Sequence, residues 1–82
     1  MTTFLLSVYS IDREIFAGNA QSLTVPGADG ELQILADHTP LICQLREGDV
    51  RIEGENGVTT KLPIAGGVVE VKPHEVVALV NF

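Results

Sequence analysis

Polar and apolar residues alternate along most of this chain with a period of two, the period of a strand, not the 3.6 of a helix. In Phe4-Leu5-Leu6-Ser7-Val8-Tyr9 one side carries Phe4, Leu6 and Val8 and the other Leu5, Ser7 and Tyr9. Val50 and Ile52 alternate with Asp49, Arg51 and Glu53, and Val58, Thr60 and Leu62 alternate with Thr59 and Lys61. Such segments predict strands with one side on a core and the other on water. Asn56-Gly57 predicts a hairpin turn, because both residue types tolerate positive φ. Lys72-Pro73-His74 separates 67–71 from 75–80 and predicts a second hairpin. Gly18, Pro26-Gly27, Gly30 and Gly48 predict further reversals. Residues 40–46 fit one helical turn, with Thr39 as cap and Pro40 at the first position. The contiguous Leu41, Ile42 and Cys43 favour a strand instead. The sum is an all-β domain of about eight to ten short strands, a sandwich or small barrel.

Composition narrows the setting. With 82 residues, the chain predicts a single domain over 1–82. A domain of this size buries only about 60% of the surface of its unfolded chain, so patterning must be good or partners must add burial. Eleven acidic against five basic residues give a formal charge of -6. That field repels phosphate backbones and anionic bilayers, so neither nucleic acid nor a membrane surface is an expected partner. Cys43 is the only cysteine, which excludes an internal disulfide and a thiolate metal cage. The start of the chain lacks the basic region of a signal peptide. No run approaches the roughly 18 apolar residues that span a bilayer, so direct membrane insertion is not expected.

Candidate chemistry is thin. Cys43 and His38 could pair as nucleophile and base, but no third group orients them, and a free cysteine is more often a small apolar residue. His38 or His74 with Asp37 or Glu75 matches no metal-ligand spacing, and His74 reads as a solvated turn residue. Gly27-Ala28-Asp29-Gly30-Glu31 lacks the lysine and following helix of a phosphate loop, and its acids repel phosphate. Gly66-Gly67 fits either a β-bulge or the close approach of another chain. No enzyme activity, cofactor or metal is expected.

Five blocks carry a resemblance: Asp12-Arg13-Glu14-Ile15-Phe16-Ala17-Gly18; Val25-Pro26-Gly27-Ala28-Asp29-Gly30-Glu31-Leu32-Gln33-Ile34-Leu35; His38-Thr39-Pro40-Leu41-Ile42; Leu45-Arg46-Glu47-Gly48-Asp49-Val50; and Gly66-Gly67-Val68-Val69-Glu70-Val71. In order and spacing they resemble the epsilon subunit of F-type ATP synthases, called delta in mitochondria. Ala36-Asp37 and Pro63 are small departures from its pattern.

The resemblance implies a flattened sandwich of two antiparallel sheets, part of the non-catalytic rotor. That domain would link the gamma subunit to the membrane c-ring and support the coupling of proton or sodium flow to ATP synthesis. Ala28, Asp29, Gly30 and Glu31 correspond to the c-ring contact, and Ser10, His38 and Cys43 to positions facing gamma. The location implied is peripheral, on the cytoplasmic face of a bacterial membrane. Most family members continue into a C-terminal helical hairpin that can extend along gamma to inhibit hydrolysis and in some members binds ATP. This sequence stops at Phe82, so neither hairpin inhibition nor nucleotide binding is expected of it. The alternative class is a stand-alone β-sandwich binding module. A sugar-stacking version is disfavoured by the absence of Trp and the presence of one Tyr and three Phe.

Overall fold

The computed structural model describes residues 2–82 and, among them, eight strands and no helix. They are β1 (Phe4–Tyr9), β2 (Glu14–Gly27), β3 (Gly30–Ile34), β4 (Leu41–Leu45), β5 (Gly48–Gly54), β6 (Thr59–Ile64), β7 (Gly66–Val71) and β8 (Glu75–Asn81). The ladder runs β1-β8-β7-β4-β2-β5-β6, with β3 added to β2. A β1–β2 pairing closes a ring of five strands, and the whole is flattened to 31 × 23 × 18 Å. The all-β sandwich is therefore as expected, and residues 40–46 contribute a strand and not a helical turn.

All pairings are antiparallel except β1–β8, which is parallel. The exception follows from the connections. β1 and β8 are the first and last strands, so no tight turn joins them to enforce an antiparallel pair.

The long β2 serves both layers. Its first half pairs with β1, and its second half pairs with β3 on one edge and β5 on the other. The expected reversal at Gly18 does not occur, because the strand runs straight through it. A register irregularity between Ala20 and Ser22 bends the strand instead, which carries the chain from one layer to the other without a turn.

The inward side of every strand meets one core. Phe4, Leu6 and Val8 of β1 and Val76, Ala78 and Val80 of β8 face Leu23 and Val25 of β2 and Val50 and Ile52 of β5. Most of these side chains are fully buried. The alternation expected for β6 fails at its start. Val58 and Thr60 are exposed, and only Leu62 and Ile64 reach the core. At the tip of the β5–β6 hairpin Val58 and Thr60 line an open hollow with Phe16 and Gly18 and do not enter the core. In that turn only Gly57 has positive φ, while Asn56 caps Val58 N–H through its side-chain oxygen at 3.1 Å.

Gly67 answers the question left by the Gly66-Gly67 pair. The close approach is made by this chain's own β8, since a Cβ on Gly67 would lie 2.3 Å from the carbonyl oxygen of Leu79. Its φ of +152° adds a second obstacle to any side chain. Gly67→Ala is therefore expected to destabilise the domain by about 2–3 kcal/mol, as a forced backbone shift does. Urea unfolding followed by circular dichroism checks this, and a loss under about 0.5 kcal/mol would show that β8 moves aside freely.

Candidate docking surface

The sheets bury one side each, and what they leave outside differs sharply. On the β3-β2-β5-β6 layer the outward positions include Gln33, Thr24, Arg51, Glu53, Thr59 and Lys61, all polar. On the β1-β8-β7-β4 layer they include Tyr9, Leu79, Val68 and Ile42. Register lines these up: Tyr9 lies opposite Leu79, and Leu79 opposite Val68. Ile42, in the neighbouring strand, is 73% exposed, and Ile11, at the β1–β2 turn, is 97% exposed. Ile11, Ile42, Val68 and Leu79, together with Gly67 and Gln44, line a shallow groove on the outer face. Exposed single apolar residues need no explanation, whereas a contiguous set on one sheet face marks an interaction surface.

The segment Ala28–Glu31 borders this face. Ala28 and Asp29 form the two-residue turn between β2 and β3, with Gly27 paired to Gly30. All four residues from Ala28 to Glu31 are exposed. The loop is nonetheless fixed. Ala28 N–H donates to the Gln44 carbonyl, and Arg46 N–H donates to the Pro26 carbonyl, each at 2.9 Å. A Cβ on Gly27 would sit 2.7 Å from the Gly30 carbonyl oxygen and 3.2 Å from Cys43 Sγ, so only glycine lets the three strands crowd there. Ile42 and Gln44 line both the apolar groove and the hollow beside the loop, which makes the two surfaces continuous.

Glu31 is not a free acid. Its Oε2 accepts a hydrogen bond from Arg51 Nη2 at 3.1 Å, with both side chains at least half exposed. Sequence reasoning missed Arg51, because the two residues lie twenty positions apart on strands that flank β2. It also missed the apolar face. The parity of Ile42, Val68 and Leu79 relative to their buried neighbours was the available signal.

The three other singled-out residues occupy different settings. Ser10 is nearly buried; its hydroxyl donates to Asp12 Oδ1 at 2.9 Å, and its N–H donates to the Arg13 carbonyl. It builds the turn that displays Ile11. Cys43 is half-buried and packs against the core beneath Gly27, so Ile42 and Gln44, not Cys43, project outward. His38 lies beyond the opposite end of β4. Its Nδ1 is 2.7 Å from the Thr39 carbonyl oxygen. There Asp37, with φ of 63°, donates its N–H to Pro73 and approaches His74 Nδ1 at 3.5 Å. The structure thus brings Cys43 and the Ala28–Glu31 loop together and leaves His38 apart. Among the described residues no group of three or more His, Cys, Asp or Glu side chains could hold a metal, and no helix is long and apolar enough to cross a membrane.

Known proteins match this geometry closely. The family model for the ATP synthase delta/epsilon chain, beta-sandwich domain, matches residues 3–82. A chain of the Euglena gracilis mitochondrial ATP synthase, in an assembly that includes the c-ring, superposes with a TM-score of 0.89 at 25% identity over 95% of this chain. A chain from the central stalk and c-ring of the Tetrahymena thermophila mitochondrial ATP synthase superposes with a TM-score of 0.81 at 17% identity over 99% of this chain, a likeness of fold. The present chain spans 50% of the first and 65% of the second. Its strand order, its fixed β2–β3 loop and a family match over nearly its full length place it in one group: this chain belongs to the family of ATP synthase delta/epsilon chain β-sandwich domains.

Proposed function

We propose that this domain is a non-catalytic docking element of the ATP synthase central stalk. It joins the gamma subunit to the c-ring, and so supports the coupling of proton or sodium flow to ATP synthesis. The observation that carries the proposal is the two-sided outer surface: one sheet is solvated and polar, while the other carries an apolar strip, bordered by Glu70 and Gln44, that runs into a fixed acidic loop. A small domain exposing Ile11, Ile42, Val68 and Leu79 leaves burial undone that a partner supplies. Each such side chain contributes about 1.5–3 kcal/mol when fully covered, enough for a stable contact before any polar term.

In this reading the apolar face meets gamma. Ser10 and Cys43 act from behind it, by shaping the turn under Ile11 and supporting β4, and His38 contacts gamma at the far end of that layer. Ala28, Asp29, Gly30 and Glu31 meet the polar loops of the c-ring. The carboxylate contact sets register and encounter rate more than affinity. The domain stays at the membrane through these partners, as a peripheral component on the cytoplasmic face in a bacterial setting. The assemblies containing its structural relatives, one of them a central stalk with c-ring, support the reading.

Two outcomes are expected. Leu79→Asp, which places a charge in the centre of the apolar face, weakens association with gamma at least about tenfold, a change of roughly 1.4 kcal/mol. Thr59→Asp on the polar face leaves it unchanged. Co-elution of purified chain with gamma measures both, and equal effects of the two variants would remove the apolar face from the contact. Glu31→Lys lowers ion-driven ATP synthesis in reconstituted vesicles while thermal stability stays within about 1 kcal/mol of the parent. Unchanged synthesis in that variant would strike Glu31 from the docking loop.

A further inference from the structure

Arg51 and Glu31 meet across an intervening strand. Glu31 of β3 stands opposite Pro26 of β2, and Arg51 of β5 stands opposite Thr24 on the other edge. The guanidinium therefore crosses the outer face of β2 to reach the carboxylate, at 3.1 Å. Pro26 lies between them, and its ring offers neither donor nor acceptor. The nearby cation of the same face, Lys61, is engaged elsewhere, 3.6 Å from Asp49. Asp29, on the same loop as Glu31, makes no ion pair among the described residues. Arg46, Glu47 and Asp49 line the same hollow as Glu31 and Arg51, so with Asp29 the region holds four carboxylates and two cations, a charge of -2 that becomes -3 without Arg51.

We propose that Arg51 masks Glu31. It neutralises the carboxylate in the free domain and holds it against the sheet face, then yields it to a cationic group of the docking partner. The proposal rests on the rotor reading above and adds a regulator to the same loop. An exposed pair is suited to this exchange. Its Coulomb attraction is screened by water and offset by the entropy of holding two long side chains, so its loss is easily offset by a new partner. A buried pair could not be exchanged in this way, because breaking it strands a desolvated charge. While the pair lasts, the domain presents a weaker field to a cationic surface, and encounter rates follow that field.

The test uses the whole chain and a purified gamma–c-ring subcomplex lacking it, with association rates measured by biolayer interferometry at low and high salt. Arg51→Gln is expected to raise the association rate by about two- to fivefold at low salt, with the gain vanishing at high salt. Lys61→Gln makes the same change in net charge and frees Asp49, which lines the same hollow but stands on β5 and not on the β2–β3 loop, and is expected to change the rate less than half as much. Arg51→Lys, which keeps the charge, restores the parent rate. Independently of any partner, the Arg51 Nε–H group is expected to be ordered in NMR relaxation measurements on the parent chain and mobile in Glu31→Gln. Equal acceleration by Arg51→Gln and Lys61→Gln, slowing by Arg51→Gln, or an Arg51 side chain equally mobile in parent and Glu31→Gln each overturns the masking role while leaving the rotor reading intact. Failure of the unsubstituted chain to bind the subcomplex overturns both.

Discussion

Every part of this fold is positioned by β2. It is the strand that pairs with β1, β3, β4 and β5, and its side chains Leu23 and Val25 are fully buried in the core. A strand of 14 residues could not stay flat and satisfy both layers. The irregularity at Ala20–Ser22 resolves this by adding twist and bend at one point, so that the first half lies in one sheet and the second in the other. The consequence is local as well as global. The end of β2, at Pro26-Gly27, is pressed between β3 and the β4–β5 connection, and the turn that follows inherits that constraint. The exposed loop of a small domain is thereby made rigid by the same strand that organises its core.

The distribution of polar groups follows from how the layers are used. A sheet with one side on the core has freedom only on its other side, and the two outer sides of this sandwich use that freedom differently. The β5–β6 side carries Arg51, Glu53, Lys61 and Thr59, which protects an edge of the sheet with charge, and Pro63 blunts it further. The β7–β8 side carries Val68 and Leu79, with Ile42 beside them on β4, at outward positions of the sheet that stay partly exposed. Their apolar character is therefore not a requirement of folding. It is information about what lies outside the domain, and the acidic loop that adjoins the patch belongs to the same surface.

Much of this was legible in the chain. Phe4, Leu6 and Val8, and later Val50 and Ile52, announce their buried side by strict alternation, and Lys72-Pro73-His74 marks its hairpin because proline cannot continue the ladder. Gly18 misled because a glycine inside an extended strand looks, in one dimension, the same as a glycine that permits reversal. Val58 and Thr60 misled because alternation reports a side, not whether another layer extends far enough to cover it. The site was less readable than the fold. Pattern alone reduced Ala28–Glu31 to a solvated turn, and only the family resemblance singled it out. Even then Arg51 stayed hidden, since nothing local to Glu31 signals a cation that arrives from across a strand. Ser10 and Cys43 were visible as positions but not as roles: their side chains turn inward and set the posture of Ile11 and Ile42.

The proposed rotor role asks the domain to transmit force without yielding, and its stiffness has an identifiable origin. The ring β1-β8-β7-β4-β2 has continuous ladders on four of its sides, the parallel β1–β8 pairing joining the first strand to the last, and is completed by the single Gly27–Leu45 pair between β2 and β4. Displacing the loop at Ala28–Glu31 requires breaking both of its anchors, one from Ala28 to Gln44 and one from Arg46 to Pro26. Those anchors are on the strand that also bears Ile42 and on the connection that follows it. Under the proposed arrangement, a load applied at the loop passes through β4 to the apolar face without crossing a flexible joint. Large exposed carboxylates on a mobile loop would serve encounter equally well but could not carry torque. In the proposed arrangement a fixed backbone with exchangeable Glu31–Arg51 side chains separates the two tasks, recognition falling to the side chains and load to the ladder behind them.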